Sequence, residues 1–174
     1  MSASFEMHSP ARITVDTVGE PGQRTFYLQA SEGRRTVALK LEKQQVAALA
    51  ELISELLADV PAVGDLPSGS NMALDEPVLA EWAVGNMQLA YDTAADRIVV
   101  LAEELVIEDP DGSPEPADGA MARMSITREQ AAGLAKRGAE LVSAGRPPCP
   151  LCGNPLDAEG HSCPRTNGHR PPSR

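Results

Sequence analysis

The stretches LKLEKQQVAALAELISELL (residues 39–57) and MSITREQAAGLAKRGAELV (124–142) decide how this chain folds. Each opens with apolar residues in alternation, the pattern of a half-buried strand, and then changes to helical spacing. In the first, Val46, Leu49, Leu52, Ile53, Leu56 and Leu57 form the apolar stripe of an amphipathic helix that Pro61 and Gly64 end. In the second, Thr127 stands three residues before Gln130, a capping-box spacing. That helix runs to about Ala144 and stops at Gly145, with Pro147 and Pro148 behind it. At a constant offset of 85 residues, Gln45, Ala47, Leu49, Ala50, Glu55 and Leu56 meet Gln130, Ala132, Leu134, Ala135, Glu140 and Leu141. Two Ala/Leu-rich helices resemble each other by composition alone. The shared preceding strand argues instead for a duplicated unit.

Outward from these stretches, each helix has three strand candidates before it. Residues 12–18 (RITVDTV), 24–30 (RTFYLQA) and 35–41 (RTVALKL) precede the first, with the turn cluster GEPGQ between the first two. Residues 84–92 (VGNMQLAYD), 97–109 (RIVVLAEELVIED) and 122–126 (ARMSI) precede the second. Residues 61–81 read as a proline-bearing linker, and 108–119 as a mobile loop without a large apolar residue to bury. The expected architecture is α+β: a β-β-β-α unit used twice, with a mostly antiparallel sheet carrying two helices. Repeat 1 covers about 12–60, repeat 2 about 82–145, and a tail follows over 146–174. Trp82 and Tyr91 belong to the core or its edge, since the chain holds little other aromatic mass.

The tail carries the strongest chemical signal, CPLCGNPLDAEGHSCPRTNGH (149–169). All three cysteines of the chain and two of its three histidines lie there. Cys149 and Cys152, with Gly153 directly after, make a tight C-x-x-C turn that presents two thiolates to one ion. The returning strand supplies Cys163 together with His161, two residues away and so on the same side of an extended chain; His169 is the alternative fourth ligand. Cys₃His satisfies tetrahedral zinc, and the segment resembles half of a zinc ribbon in which a threonine, Thr166, replaces the fourth cysteine. So apolar-poor a tail needs a staple to fold, which makes the zinc structural. A redox pair lacks the surrounding βαβ pattern, and a catalytic zinc lacks a general base beyond Asp157 and Glu159; an unmetallated flexible tail is the bland alternative.

Elsewhere no nucleophile elbow, zincin or P-loop pattern occurs, so no catalytic residue is assigned. His8 lies near a terminus expected to fray. The net charge of −10 divides unevenly. Residues 1–122 hold 7 basic and 21 acidic groups, net −14, whereas 123–174 hold 8 and 4, net +4. That excludes nucleic-acid binding by the body and leaves it possible for the basic tail. Alternatively, Arg128, Lys136, Arg137 and their neighbours dock on the acidic body of their own chain. No apolar run reaches the roughly 20 residues of a membrane span, and no basic-then-apolar leader opens the chain. Three cysteines are an odd set for disulfides, so the expected compartment is the reducing cytoplasm.

Residues 19–30 (GEPGQRTFYLQA), 41–49 (LEKQQVAAL), 84–92 and 145–165 (GRPPCPLCGNPLDAEGHSCPR) together resemble an actinobacterial family of about this length, a domain of unknown function. The resemblance spans nearly the whole chain and implies an actinobacterial cytoplasmic protein, with no particular activity attached. Residues and resemblance together support a non-enzymatic zinc-binding adaptor or regulatory module with a protein partner. The alternatives are an enzyme with its site between the repeats, where Glu103, Glu104 or Arg24 are candidates, and a nucleic-acid-contacting regulator acting through the tail.

Overall fold

The computed structural model describes residues 2–20, 22–61, 63–66, 72–106, 119–145, 149–152, 163 and 165. The body is α+β, a sheet with two helices. The described residues form seven strands: β1 (Phe5–Met7), β2 (Arg12–Val18), β3 (Thr25–Glu32), β4 (Arg35–Leu41), β5 (Ala80–Asp92), β6 (Arg97–Glu104) and β7 (Met121–Ile126). Helix α1 (Lys43–Ala58) follows β4, and α2 (Arg128–Ser143) follows β7. The strands form one sheet in the order β1-β7-β6-β5-β4-β3-β2. Two antiparallel meanders, β2-β3-β4 and β5-β6-β7, meet at a parallel seam between β4 and β5, and β1 adds in parallel beside β7.

The alternation in the sequence sets which face is buried. Ile98, Val100 and Ala102 of β6 face the core with Ala122, Met124 and Ile126 of β7. On β5 the phase changes: Trp82 and Val84 are buried, and then Met87, Leu89 and Tyr91 pack on the same core. A bulge between Val84 and Asn86 absorbs the extra residue and returns both sets to one face. Gly85 sits in it because a Cβ there would stand 2.9 Å from Leu105 Cα.

The two edge strands, β1 and β2, are joined by residues 8–11 alone. Five backbone steps from Met7 to Arg12 reach at most about 18 Å. Six flat inter-strand spacings would separate the edges by roughly 29 Å. The sheet therefore curls until its edges approach each other. Helix α2 lies against β2 at that gap as well as against α1. Gln130 Nε2 donates to the Pro10 carbonyl, 2.8 Å away, in the joining segment.

The helix starts repeat each other. Gln130 Oε1 accepts from Thr127 N–H while Thr127 Oγ1 accepts from Gln130 N–H, the box expected from the spacing. Gln45 Oε1 accepts from Glu42 N–H in the same way, and its Nε2 donates to the Val84 carbonyl of β5 at 2.9 Å. Each glutamine thus caps its own helix and ties it to the other meander, Gln45 to its first strand and Gln130 to Pro10, two residues before its first strand.

Several expectations need correction. The described residues form seven strands, not six, because Phe5–Met7 pairs with β7, and His8 follows a strand rather than a frayed end. Trp82 Nε1 donates to the Ala3 carbonyl at 3.0 Å, which fixes the segment before β1. β6 ends at Glu104 instead of 109, and Leu105 and Val106 beyond it are exposed. Residues 72–75 do more than link: Thr14 Oγ1 donates to the Met72 carbonyl, and the Gln29 amide bonds both backbone groups of Asp75. Thr14 and Gln29 are the two fully buried polar side chains among the described residues, and this strap satisfies them. The 108–119 loop lies, apart from Gly119, outside the described residues.

The helices touch where Gly138 of α2 faces α1. A Cβ at Gly138 would stand 3.3 Å from Ala50 Cβ and 3.4 Å from Val46 Cγ1. Gly138→Ala should leave stability within about 1 kcal/mol, as the gain in helix propensity offsets the tight contact. Gly138→Leu should cost about 2 kcal/mol or more by overpacking. Paired urea melts test this; two variants of equal stability would disprove the close approach.

Candidate metal centre

Five residues, 144–148, separate the end of α2 at Ser143 from Cys149, and residues 150–152 turn to bring Cys152 back toward it. Cys163 completes a group of three whose sulfurs all lie within 4.8 Å of one another. Cys149 and Cys163 are buried and Cys152 is half-buried. Cys149 Sγ and Cys163 Sγ are 4.0 Å apart, about twice a covalent S–S bond. Among the described residues this is the one cluster of His, Cys, Asp or Glu side chains that could hold a metal ion. His161 and His169, proposed from the sequence as fourth ligands, lie outside the described residues, as do Asp157 and Glu159. His8 stands elsewhere, with an exposed side chain 3.9 Å from Glu6.

The acidic and basic candidates fall into other contacts. Glu103 accepts from Asn86 Nδ2 at 3.1 Å. Glu104 accepts from Ser2 Oγ and from Ala120 N–H, and these bonds hold its carboxyl below its ordinary value. Neither glutamate lines the cleft that Arg24 lines. That cleft, of about 540 Å³, opens between the start of β3, the end of β4, the first turn of α1 and the end of α2. Lys40 and Lys43 share it with Arg24. Sequence reading missed these lysines, since nothing in the residues around them marks a site.

Two arginines of α2 dock on the acidic body. Arg137 Nη2 meets Asp16 Oδ2 at 2.9 Å. Arg128 Nε and Nη2 reach the two oxygens of Asp96 at 2.9 and 3.1 Å, and its Nη1 donates to the Pro61 carbonyl at 2.6 Å. Asp96 also accepts from the Tyr91 hydroxyl at 2.7 Å. That hydrogen bond, then the one from Arg128, holds the Asp96 carboxyl below its ordinary value, and the same Tyr91–Asp96 bond raises the phenol of Tyr91.

A family model described as a protein of unknown function, DUF3090, matches residues 5–163, from the first residue of β1 to the last cysteine. The chain belongs to the DUF3090 family. The matched span takes in both meanders, both helices and all three cysteines. No curated protein and no solved structure matches the chain. No helix among the described residues is long and apolar enough to cross a membrane.

The Asp96 contacts make a pH-dependent contribution to stability. A carboxyl held lower in the folded state than in the unfolded chain adds stability above about pH 4 and loses it as the pH falls through the depressed value. Asp96→Asn keeps a residue that tolerates the left-handed backbone there (φ 51°) while removing the charge. Its melting temperature should lie below wild type at neutral pH, with the gap closing under acid. A gap independent of pH between 2 and 7, followed by circular dichroism, would argue against the pairing.

Proposed function

We propose that this protein is a non-enzymatic zinc-binding adaptor: a duplicated β-β-β-α body with a C-terminal structural zinc knuckle that engages a protein partner in the cytoplasm. The convergence of three thiols carries this reading. Zinc–sulfur bonds of about 2.3 Å in a tetrahedron set sulfurs about 3.8 Å apart. The 4.0 Å between Cys149 and Cys163 and the 4.8 Å limit for the cluster are close to that spacing. The fourth ligand is His161, with His169 as the alternative; the family match takes in the first and stops short of the second. Three thiolates and an imidazole leave no open position for a substrate, so the metal staples the tail over 146–174 rather than doing chemistry.

The like order of the two meanders, and glutamines that cap both helices and reach across to the opposite meander, support the duplication. Repeat 1 then covers about 12–60 and repeat 2 about 82–145, with 61–81 between them. The pairing of Arg128 and Arg137 with the body's own carboxylates takes two cations from any nucleic-acid surface and favours a protein partner.

Purified protein should carry one zinc per chain, and its thiols should react only after chelation. Cys149→Ser or Cys163→Ser should lose the metal while the far-ultraviolet dichroism of the body persists. Metal-free protein with three immediately reactive thiols would refute the knuckle. Pull-downs with wild type and with Cys149→Ser/Cys152→Ser should then differ by the partner; identical capture would remove the knuckle from recognition.

A further inference from the structure

The 540 Å³ cleft beside α1 is walled by three cations, Arg24, Lys40 and Lys43, with Glu42 as its one carboxylate. No ion pair or hydrogen bond engages the side chains of these three cations among the described residues. Like charges gathered round a concave surface repel one another, and Glu42 is the single carboxylate set against three cations there. On a chain with ten more acidic than basic groups, such a gathering needs a reason.

The other helix supplies the comparison. Each helix leaves its strand after a single residue, carries a glutamine cap at its third position and begins with a basic residue, Lys43 in α1 and Arg128 in α2. Arg128 bonds the carbonyl of Pro61, just past the end of α1. Lys43 lies against Gly145, just past the end of α2, where an added Cβ would stand 2.7 Å from its Nζ. The difference is the residue immediately before the middle strand of each meander. Before β6 it is Asp96, which neutralises Arg128. Before β3 it is Arg24, which adds a charge instead.

We propose that the cleft is an anion-binding site, in which a small organic phosphate takes the place that Asp96 fills at the other helix. Arg24 offers a planar fork suited to phosphate oxygens, and the two lysines offer point charges. Phe26 and Leu141 add apolar wall beside them, and the volume falls in the range of small-molecule sites. The site is distinct from the cysteine cluster and does not depend on the zinc reading.

Calorimetric titration of the full chain tests it, with pyrophosphate, ADP and adenosine as probes. Saturable one-to-one binding of ADP and pyrophosphate is expected, weakening with salt, and none of adenosine. Lys40→Ala/Lys43→Ala should weaken binding at least tenfold, on the order of one lost charge-assisted contact. Arg24→Asp installs the carboxylate that the other helix has; it should abolish binding while melting no lower than wild type, which separates loss of the site from loss of the fold. Absence of saturable binding by either phosphate, affinity unchanged in these variants, or adenosine binding as tightly as ADP would overturn the proposal.

Discussion

A seven-stranded sheet whose two edges are joined by four residues cannot lie flat, and the rest of the structure follows from that constraint. Curling brings β2 round toward β1, places α2 at the gap and lets Gln130 reach the segment that joins the edges. It also blunts the aggregation hazard of open sheet edges, because one edge is a three-residue strand and the other lies beside α2. The apolar faces of both meanders and both helices thereby share one core, from Phe5 and Met7 to Leu141. The cysteine cluster follows α2 in the chain and the cationic cleft lies at the C-terminal end of that helix, so both are placed in part by the helix that fills the gap.

Within that frame the two halves do similar jobs with different electrostatics. At α2 the basic residue that opens the helix is matched by a carboxylate from the neighbouring turn, and the corner is internally neutral. At α1 the corresponding corner is left positively charged, on a molecule whose overall charge is strongly negative. Cys149 follows Gly145 by four residues, so the cysteine cluster begins within about 14 Å of that charged wall.

How much of this was legible in the sequence depends on the range of the signal. Strand β2 runs from Arg12 to Val18 as its alternation predicts, and both helices fall within a residue or two of their stripes and caps, because those signals are local. Strand β1 escaped because three residues are too short to show a period; Phe5–Met7 is a strand only through its pairing with β7. The end of β6 was placed too far along because LVIE remains strand-like by composition, whereas the strand stops at Glu104; Leu105 still donates its N–H to the Ala83 carbonyl of β5, but its side chain and that of Val106 are exposed. The cysteine cluster was readable because its spacing encodes it. The cleft was not, since Arg24, Lys40, Lys43 and Leu141 come from four separate segments and no one of them is unusual alone.

The pairing of Phe5 with Ala122 has a further consequence, for synthesis rather than for the finished molecule. Strand β1 is made well before β7, the strand it pairs with. At ribosomal rates of about 5–20 residues per second, β1 waits roughly 6–24 s before β7 is made. Through that interval Phe5 and Met7, both buried in the finished sheet, lack the β7 strand they pair with, although Arg35, which stacks on the Phe5 ring, is made early. Pairing of β1 with β7 is thus a late step, so an extension placed before β1 bears on closure of the sheet more than on the meanders themselves.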